Sequence, residues 1–500
     1  MNIVSLFGGK VRAHPDKPFL RYAGRTWTYA QADELGRRAA RVFAQHGVGA
    51  GDRVALMCFN TPGFVFAMLG AWRMGAAVVP VNHKLQAPEV DYILAHARVS
   101  LAIFDGALQP VVERLSTPCV RLGTDSALVG HASFDELVEA AAPFEGEAPG
   151  DDSIAEVLYT SGTTGRPKGC LMSHHAVCSA GALAVEVTDM TPAERTLIAM
   201  PLWHSSPLNN WMVGTLYVGG TLVLLREYHP QAFLETVQAE QVTLYFGAPV
   251  SYLLPLQMGL KIGDYALDSV RAWIYGGGPI GADTARQLMA EYRSERFYQV
   301  FGMTETGPAG TVLEPGEQIA KAGSVGNKPM CGVQMRVVRE NGEEARPGEV
   351  GEIWLKAVSL MQGYLDAPEA TAEAIVDGWY RTGDLVRMDE DGYLFVVDRS
   401  KDMIVTGGEN VYSKEVEDVL IAHPSVRDVA VVGRPHPEWG ETVVAYVVPV
   451  PGEPLDEAAI REFLASQLAK YKIPREYIVR DTLPRTPTGK LVKTSLRSDV

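Results

Sequence analysis

The chain has 500 residues, with 60 acidic against 45 basic side chains, a formal net charge of −15, 47% apolar residues and 21% charged residues. That balance supports a packed multidomain enzyme and speaks against wholesale disorder, non-specific nucleic-acid binding and attraction to anionic membranes. Five scattered cysteines (Cys58, Cys119, Cys170, Cys178 and Cys331), with no close CxxC pair, imply neither a zinc knuckle nor a disulfide framework and fit a reducing cytoplasm.

The amino terminus lacks the basic, apolar and small-residue sequence of a secretory signal. ADELGRRAARVFAQHG has helical spacing, RVALMC reads as a buried strand, and GFVFAMLGAWRMG is helical again. The rhythm continues through TLVLL, VTLYFGAP and RAWIYGGG, apolar runs closed by Gly, Pro or a charge, so a layered α/β body is expected. The longest uncharged apolar stretch, residues 211–225, has 15 residues and several glycines. A spanning helix needs about 20, so this stretch reads as a buried helix, turn and strand, and no integral membrane association follows.

After about residue 325 the texture changes to short strands with Gly turns, as in GEVGEIWLKA and DGYLFVVDRS, which predicts a β-rich subdomain near 325–397. Beyond it, Ser413 can cap a helix with Val416, Val419 and Leu420 on one face. VRDVAVVG and TVVAYVVPV read as strands, and Ile460, Phe463, Leu464 and Leu468 line a further helix. The expected organisation is therefore a large α/β domain at 1–399 and a small α+β domain at 400–500, joined near 399–402.

Residues 159–169, YTSGTTGRPKG, place three glycines, four small hydroxyls and a lysine in eleven positions. Glycines permit close backbone approach, hydroxyls and N–H groups donate to phosphate oxygens, and Lys168 adds charge. It is not a Walker A loop, because Pro167 precedes Lys168 and Gly169 follows it.

This loop resembles the phosphate-binding signature of the adenylate-forming superfamily of acyl-CoA synthetases, luciferases and peptide-synthetase adenylation domains. Further motifs follow in the family's order: FGMTETG (301–307) resembles the adenine and magnesium motif, GWYRTGD (378–384) the ribose motif, DRSKDMIVTGGEN (398–410) the hinge and thioester loop, and PRTPTGK (484–490) the terminal lysine motif. The resemblance implies an ATP-dependent acid:CoA ligase using ATP, Mg²⁺ and coenzyme A, whose small C-terminal domain is mobile. It implies that Ser161, Gly162, Thr163, Thr164, Gly165 and Lys168 cradle the β- and γ-phosphates, Thr304 touches the α-phosphate and Glu305 holds magnesium. Phe301, with Gly302 and Met303, faces adenine where the family usually has Tyr, so stacking survives and any hydroxyl contact is lost. By the same resemblance Asp384 and Arg399 would hold the ribose, Lys490 would neutralise the attacking carboxylate and the α-phosphate, Lys401 would be the hinge, and Gly407 and Gly408 would line the pantetheine tunnel.

For the acid, His204 matches a gate beside the reacting carboxylate, with a satisfied buried histidine as the plain alternative. Ser206, Asn210, Tyr245, Ala248 and Gly276, Gly277 and Gly278 would contact the acyl group. Small glycines and the lack of an obvious pocket arginine favour an apolar fatty or aryl monocarboxylate, with Asn210 favouring a polar substituent. No nucleic-acid partner is implied, a homodimer is the assembly left open, and the expected location is cytoplasmic. Two rivals stand beside this reading. GGGPIG (276–281) formally satisfies the G-x-G-x-x-G of a dinucleotide-dependent oxidoreductase, and an adenylating enzyme could instead hand its acyl group to a carrier protein.

Overall fold

The structure is a computed structural model that describes residues 1–160, 167–399, 402–406, 409–436, 439–452, 455–468, 470–485 and 491–497. Contacts divide the chain into two compact units, one of residues 1–335 and 355–381, the other of residues 336–354 and 382–500. The division passes through the strands Val333–Val338, Val350–Ala357 and Trp379–Met388.

The first unit is layered α/β, with two large sheets. The nine-stranded sheet runs in the order Lys328–Pro329, Gly310–Leu313, Phe297–Gly302, Ala272–Gly276, Leu244–Gly247, Arg195–Ile198, Thr221–Leu224, Pro18–Tyr22 and Arg25–Thr28. Six central strands are parallel, and the antiparallel pairings lie at its ends. The eight-stranded sheet has the order Gly363–Tyr364, Lys168–Ser173, Ile154–Thr160, Ala77–Pro80, Arg53–Met57, Leu101–Asp105, Val120–Thr124 and Ala132–Ser133. Parallel strands covered on both faces should be apolar throughout, and Leu101–Asp105 and Ala272–Gly276 are buried at every position.

Local chemistry sets the flanking helices. Tyr29–Gln45 starts from a capping box in which Thr28 and Gln31 bond each other's backbone N–H. Pro62–Met74 opens with Pro at its first turn and ends on Gly75 at φ 71°. The apolar stretch 211–225 becomes the end of a π-helical segment, Ser206–Met212, then the helix Val213–Val218, a Gly-Gly turn and the strand Thr221–Leu224, so the expected helix, turn and strand hold. The π geometry had no sequence signal. Among the described residues no helix is long and apolar enough to cross a membrane.

In the second unit, Val426–His436 and Gly440–Pro449 form a long antiparallel pair extended by Ile404–Thr406, Glu409–Val411 and the parallel strand Glu476–Val479. The helices Ser413–Leu420 and Glu457–Ala465 bury Val416, Leu420, Ile460 and Leu464 against it. Ser413 is not the helix cap the sequence suggested. It is the first helical residue, and its N–H and Oγ both donate to Asp398, while Lys493 donates to its Oγ at 2.5 Å and pairs with Glu417 at 2.8 Å.

Candidate active site

The residues of the FGMTETG motif sit where the strand Phe297–Gly302 ends and the chain makes the short 3₁₀ turn Thr304–Thr306. Gly307 must be glycine twice over: its φ is +76°, and a Cβ would lie 2.6 Å from Ser359 Cβ. Ser359 donates to Thr306 O at 2.6 Å, Met361 N–H to Glu305 O at 2.8 Å, and Thr306 Oγ1 to Ala309 O at 2.6 Å. The turn is thereby rigid, and a rigid turn can aim a carboxylate.

Glu305 is 6% exposed, and its Oε1 accepts hydrogen bonds from Tyr364 at 3.0 Å and from Thr160 Oγ1 at 3.3 Å. Burial, reinforced by the Glu305 charge, pushes the Tyr364 phenol up, so it remains a proton donor to the carboxylate. Lys168 lies 5.0 Å above the Tyr364 ring. Two motifs more than 130 residues apart in sequence, 159–169 and 301–307, therefore converge on one tyrosine that neither contains. Thr160 closes the strand Ile154–Thr160 and Lys168 opens Lys168–Ser173, which brings the two flanks of the glycine loop side by side. Ser161, Gly162, Thr163, Thr164 and Gly165 lie outside the described residues, as do Lys401, Gly407, Gly408 and Lys490.

Thr304 Oγ1 is 3.0 Å from Ser205 Oγ, which ties the turn to the segment that carries His204. His204 is half-buried and lies against Trp203, with ring centroids 3.7 Å apart. The following π-helical segment is a geometry that concentrates at functional sites. Trp211 donates to Ser206 Oγ at 3.2 Å and stacks on Phe246 at 5.5 Å, and a Cβ on Gly276 would come within 3.2 Å of that Phe246 ring. Gly277, at φ +84°, and Gly278 have open space beside them, and Ala248 is half-buried ahead of the helix Pro249–Gln257. Asn210 is 4% exposed, and its amide donates to Ala180 O at 3.2 Å and to Gly307 O at 3.4 Å. Carbonyls only accept, so the orientation of that amide is settled.

Tyr245 does not join this group. Successive strand residues point to opposite faces, and Tyr245 goes into an aromatic core with Phe233 at 4.5 Å and Tyr252 at 5.4 Å, fully buried. The expectation that it contacts an acyl group is not met, since its side chain belongs to that core, whereas Phe246, its neighbour on the other face, stacks on Trp211. A second surprise lies under the π-helical segment: Glu156 and Asn209 are both 0% exposed, and burial pushes the Glu156 carboxyl up to about 8, with the Asn209 side chain opposing. Thr160, Tyr364 and Phe246 carried no role in the sequence reading. Thr160 stood inside the phosphate motif, whereas Tyr364 had no local signal.

In the second unit, Asp384 lies within the strand Trp379–Met388, not in a turn, and pairs across the ladder with Arg399. The Arg399 Nε to Asp384 Oδ1 distance is 3.1 Å, with the carboxylate 5% exposed. Gly383, at φ +71°, donates its N–H to Glu352 at 2.9 Å, and Thr382 Oγ1 accepts from Asp384 N–H at 3.1 Å.

An α/β body with a hydroxyl-held glutamate at one strand end and a lysine-bearing glycine loop at another defines a nucleotide-handling enzyme. The chain belongs to the AMP-binding enzyme family: residues 7–365 match its main domain and residues 415–490 its C-terminal domain. It is 37% identical to a feruloyl-CoA synthase from an Amycolatopsis species over 98% of this chain and 97% of that one. With a long-chain-fatty-acid–CoA ligase from Mycobacterium tuberculosis the identity is 35% over 94% and 92%. The o-succinylbenzoate CoA synthetase of Bacillus subtilis, solved with an acyl-adenylate intermediate, superposes with a TM-score of 0.87 at 29% identity, covering 98% of this chain and 97% of that one. The GGGPIG turn does join a strand to the helix Ala282–Glu291, but it does so inside an AMP-binding domain, so the oxidoreductase alternative falls.

Proposed function

We propose that this chain activates a fatty or aryl monocarboxylate with ATP, releases pyrophosphate, and transfers the acyl group from the adenylate to coenzyme A, giving acyl-CoA and AMP. The observation that carries this is the convergence of Lys168 and Glu305 on Tyr364, with Thr160 donating to the same Glu305 oxygen. Adenylation brings two anions together, so its largest need is cationic and hydrogen-bonding stabilisation at the phosphate. Ser161, Thr163, Thr164 and Lys168 meet that need at the β- and γ-phosphates, Thr304 at the α-phosphate and Lys490 at the attacking oxygen. Phe301 stacks on adenine, while Asp384 and Arg399 take the ribose hydroxyls.

The donor set at Glu305 suits magnesium, which takes one or two carboxylates plus phosphate oxygens and water. Among the described residues no group of three or more His, Cys, Asp or Glu could cage a metal, which fits an ion carried chiefly by ATP. When bound, the ion supplies charge neutralisation at the phosphates. Glu305 is pre-oriented for it by two hydroxyls.

The open space beside Gly277 and Gly278 takes an apolar acid, and His204 gates its carboxylate. With both N–H groups of Asn210 occupied by carbonyls, only its Oδ1 can meet a polar substituent, which would therefore be a hydrogen-bond donor. A C-terminal body of residues 400–500 turns about Lys401 between the two half-reactions, Gly407 and Gly408 then lining the pantetheine path. The enzyme works in the cytoplasm, and a homodimer is compatible with it.

The test is pyrophosphate release by the purified protein across fatty, aryl, cyclic and dicarboxylic acids, with CoA, with a carrier protein and with neither. Release that requires both acid and ATP, with a CoA thioester as product, is expected. Release without any acid dependence would end the adenylating reading, and acyl transfer to the carrier alone would replace CoA as acceptor.

A further inference from the structure

Asn60 stands between the strand Arg53–Met57 of one sheet and the helix Pro62–Met74, and it is 2% exposed. Its Nδ2 donates to Met200 O at 3.0 Å, Leu225 O at 3.2 Å and Ile198 O at 3.3 Å, and its Oδ1 accepts from Leu202 N–H at 2.9 Å. Three acceptors on one side and a donor on the other determine which way the amide faces. The bonds reach across 138 to 165 residues of sequence to the ends of two strands of the other sheet.

The segment held in this way is the approach to His204. The chain leaves the strand Arg195–Ile198, passes Pro201, which has no N–H to offer, and reaches Trp203 and His204. The Asn60 amide grips the backbone on both sides of Pro201, at Met200 and at Leu202, the latter two residues before His204. Asn60 is itself anchored, because its N–H donates to Arg226 O at 3.2 Å. Phe59, next to it, lies 4.4 Å from the His83 ring, and His83 meets Trp203 edge-on at 6.3 Å. The same short turn therefore supports the His204 segment through its backbone and through Trp203.

We propose that Asn60 is a positioning residue for activation of the acid, acting through the Met200–Leu202 backbone to set His204 beside the reacting carboxylate. The proposal rests on the adenylating reading above. A misplacement near 1 Å at a reacting group is worth about 100-fold in rate, so a loosened His204 segment should show in the chemical step and not in nucleotide affinity.

The experiment measures acid-dependent ATP–pyrophosphate exchange, with kcat and both KM values, for wild type, Asn60→Ser, Asn60→Asp, His204→Ala and the corresponding double variants. Each Asn60 variant should lose about 10- to 100-fold in kcat with the KM for ATP within about 2-fold, and adding His204→Ala should cost little more, because the two changes remove one effect. Multiplying losses, or a parallel fall in ATP affinity, would make Asn60 an ordinary structural residue and overturn the proposal. If neither variant folds, amide hydrogen exchange in the wild type decides: the Leu202 N–H should be protected like the flanking strands, and exchange as fast as an exposed loop overturns the proposal. A wild type without exchange for any acid overturns the adenylating reading itself, whereas additivity in an active wild type overturns only the role of Asn60.

Discussion

Two glutamates show how environment assigns a carboxylate its work. Glu305 is held by two hydroxyls at a strand end, and Glu156 sits in the apolar interior opposite Asn209. Glu305→Gln keeps the shape but removes the charge, so the magnesium needed for half-maximal pyrophosphate release should rise about 10-fold or more. A metal titration that is unchanged would deprive Glu305 of that role. For Glu156 the carboxyl is charged in the unfolded chain above its ordinary 4.5 but keeps its proton in the fold up to about 8. Its contribution to stability is therefore present below pH 4.5 and is lost as the pH rises from there to 8. Glu156→Gln should gain on the wild type across that window, approaching roughly 3 kcal/mol at pH 7, as read by urea unfolding at pH 5, 6, 7 and 8. A difference that does not change with pH would show that Glu156 is not the titrating group.

At the scale of elements, the helices Tyr29–Gln45 and Pro62–Met74 owe their contact to glycines. A Cβ on Gly70 would lie 2.7 Å from Ala39 Cβ and 2.9 Å from Ala40 N, and one on Gly36 3.0 Å from Leu69 Cβ. Gly70→Ala should destabilise by about 2 kcal/mol through overpacking, despite the better helix propensity of alanine. Gly263, in an ordinary conformation with open space around it, is the control, and Gly263→Ala should stay within about 0.5 kcal/mol. Thermal unfolding of the pair separates close approach from propensity. The π-helical segment Ser206–Met212 belongs to this scale too, because within it Trp211 donates to Ser206 and Asn210 to Ala180 and Gly307, while Asn209 is fully buried.

For the whole molecule, the proposed function gives the two half-reactions different partners and assigns Lys490 to the first of them alone. Lys490→Ala should lose adenylation by about 100-fold or more while still making thioester from a supplied acyl-adenylate, since the lysine charge acts only when the carboxylate attacks phosphorus. Equal loss of both steps would count against a C-terminal body that turns between them. Contacts group residues 336–354 and 382–399 with the C-terminal chain, so comparing protease cleavage near Lys401 with cleavage near 335 and 381, with and without the adenylate, tests whether the proposed turning occurs at Lys401.

The α/β alternation, the β-rich change after residue 325 and the small C-terminal domain were legible because periodicity and glycine turns are local properties. The family was legible for a similar reason, from short motifs in a fixed order that resemble those of AMP-binding enzymes. Tyr364, Phe246 and Asn60 were not, since nothing in their neighbourhoods distinguishes them from core residues. Their roles come from strand order, from which face of a strand meets which layer, and from bonds that cross 59 to 165 positions of the chain. By itself the sequence determined the layered α/β body, the separate C-terminal domain and the family to which the chain belongs. Only the folded chain decided which tyrosine joins the loops and which asparagine holds the histidine, because contact between distant segments is a property of packing and not of spacing.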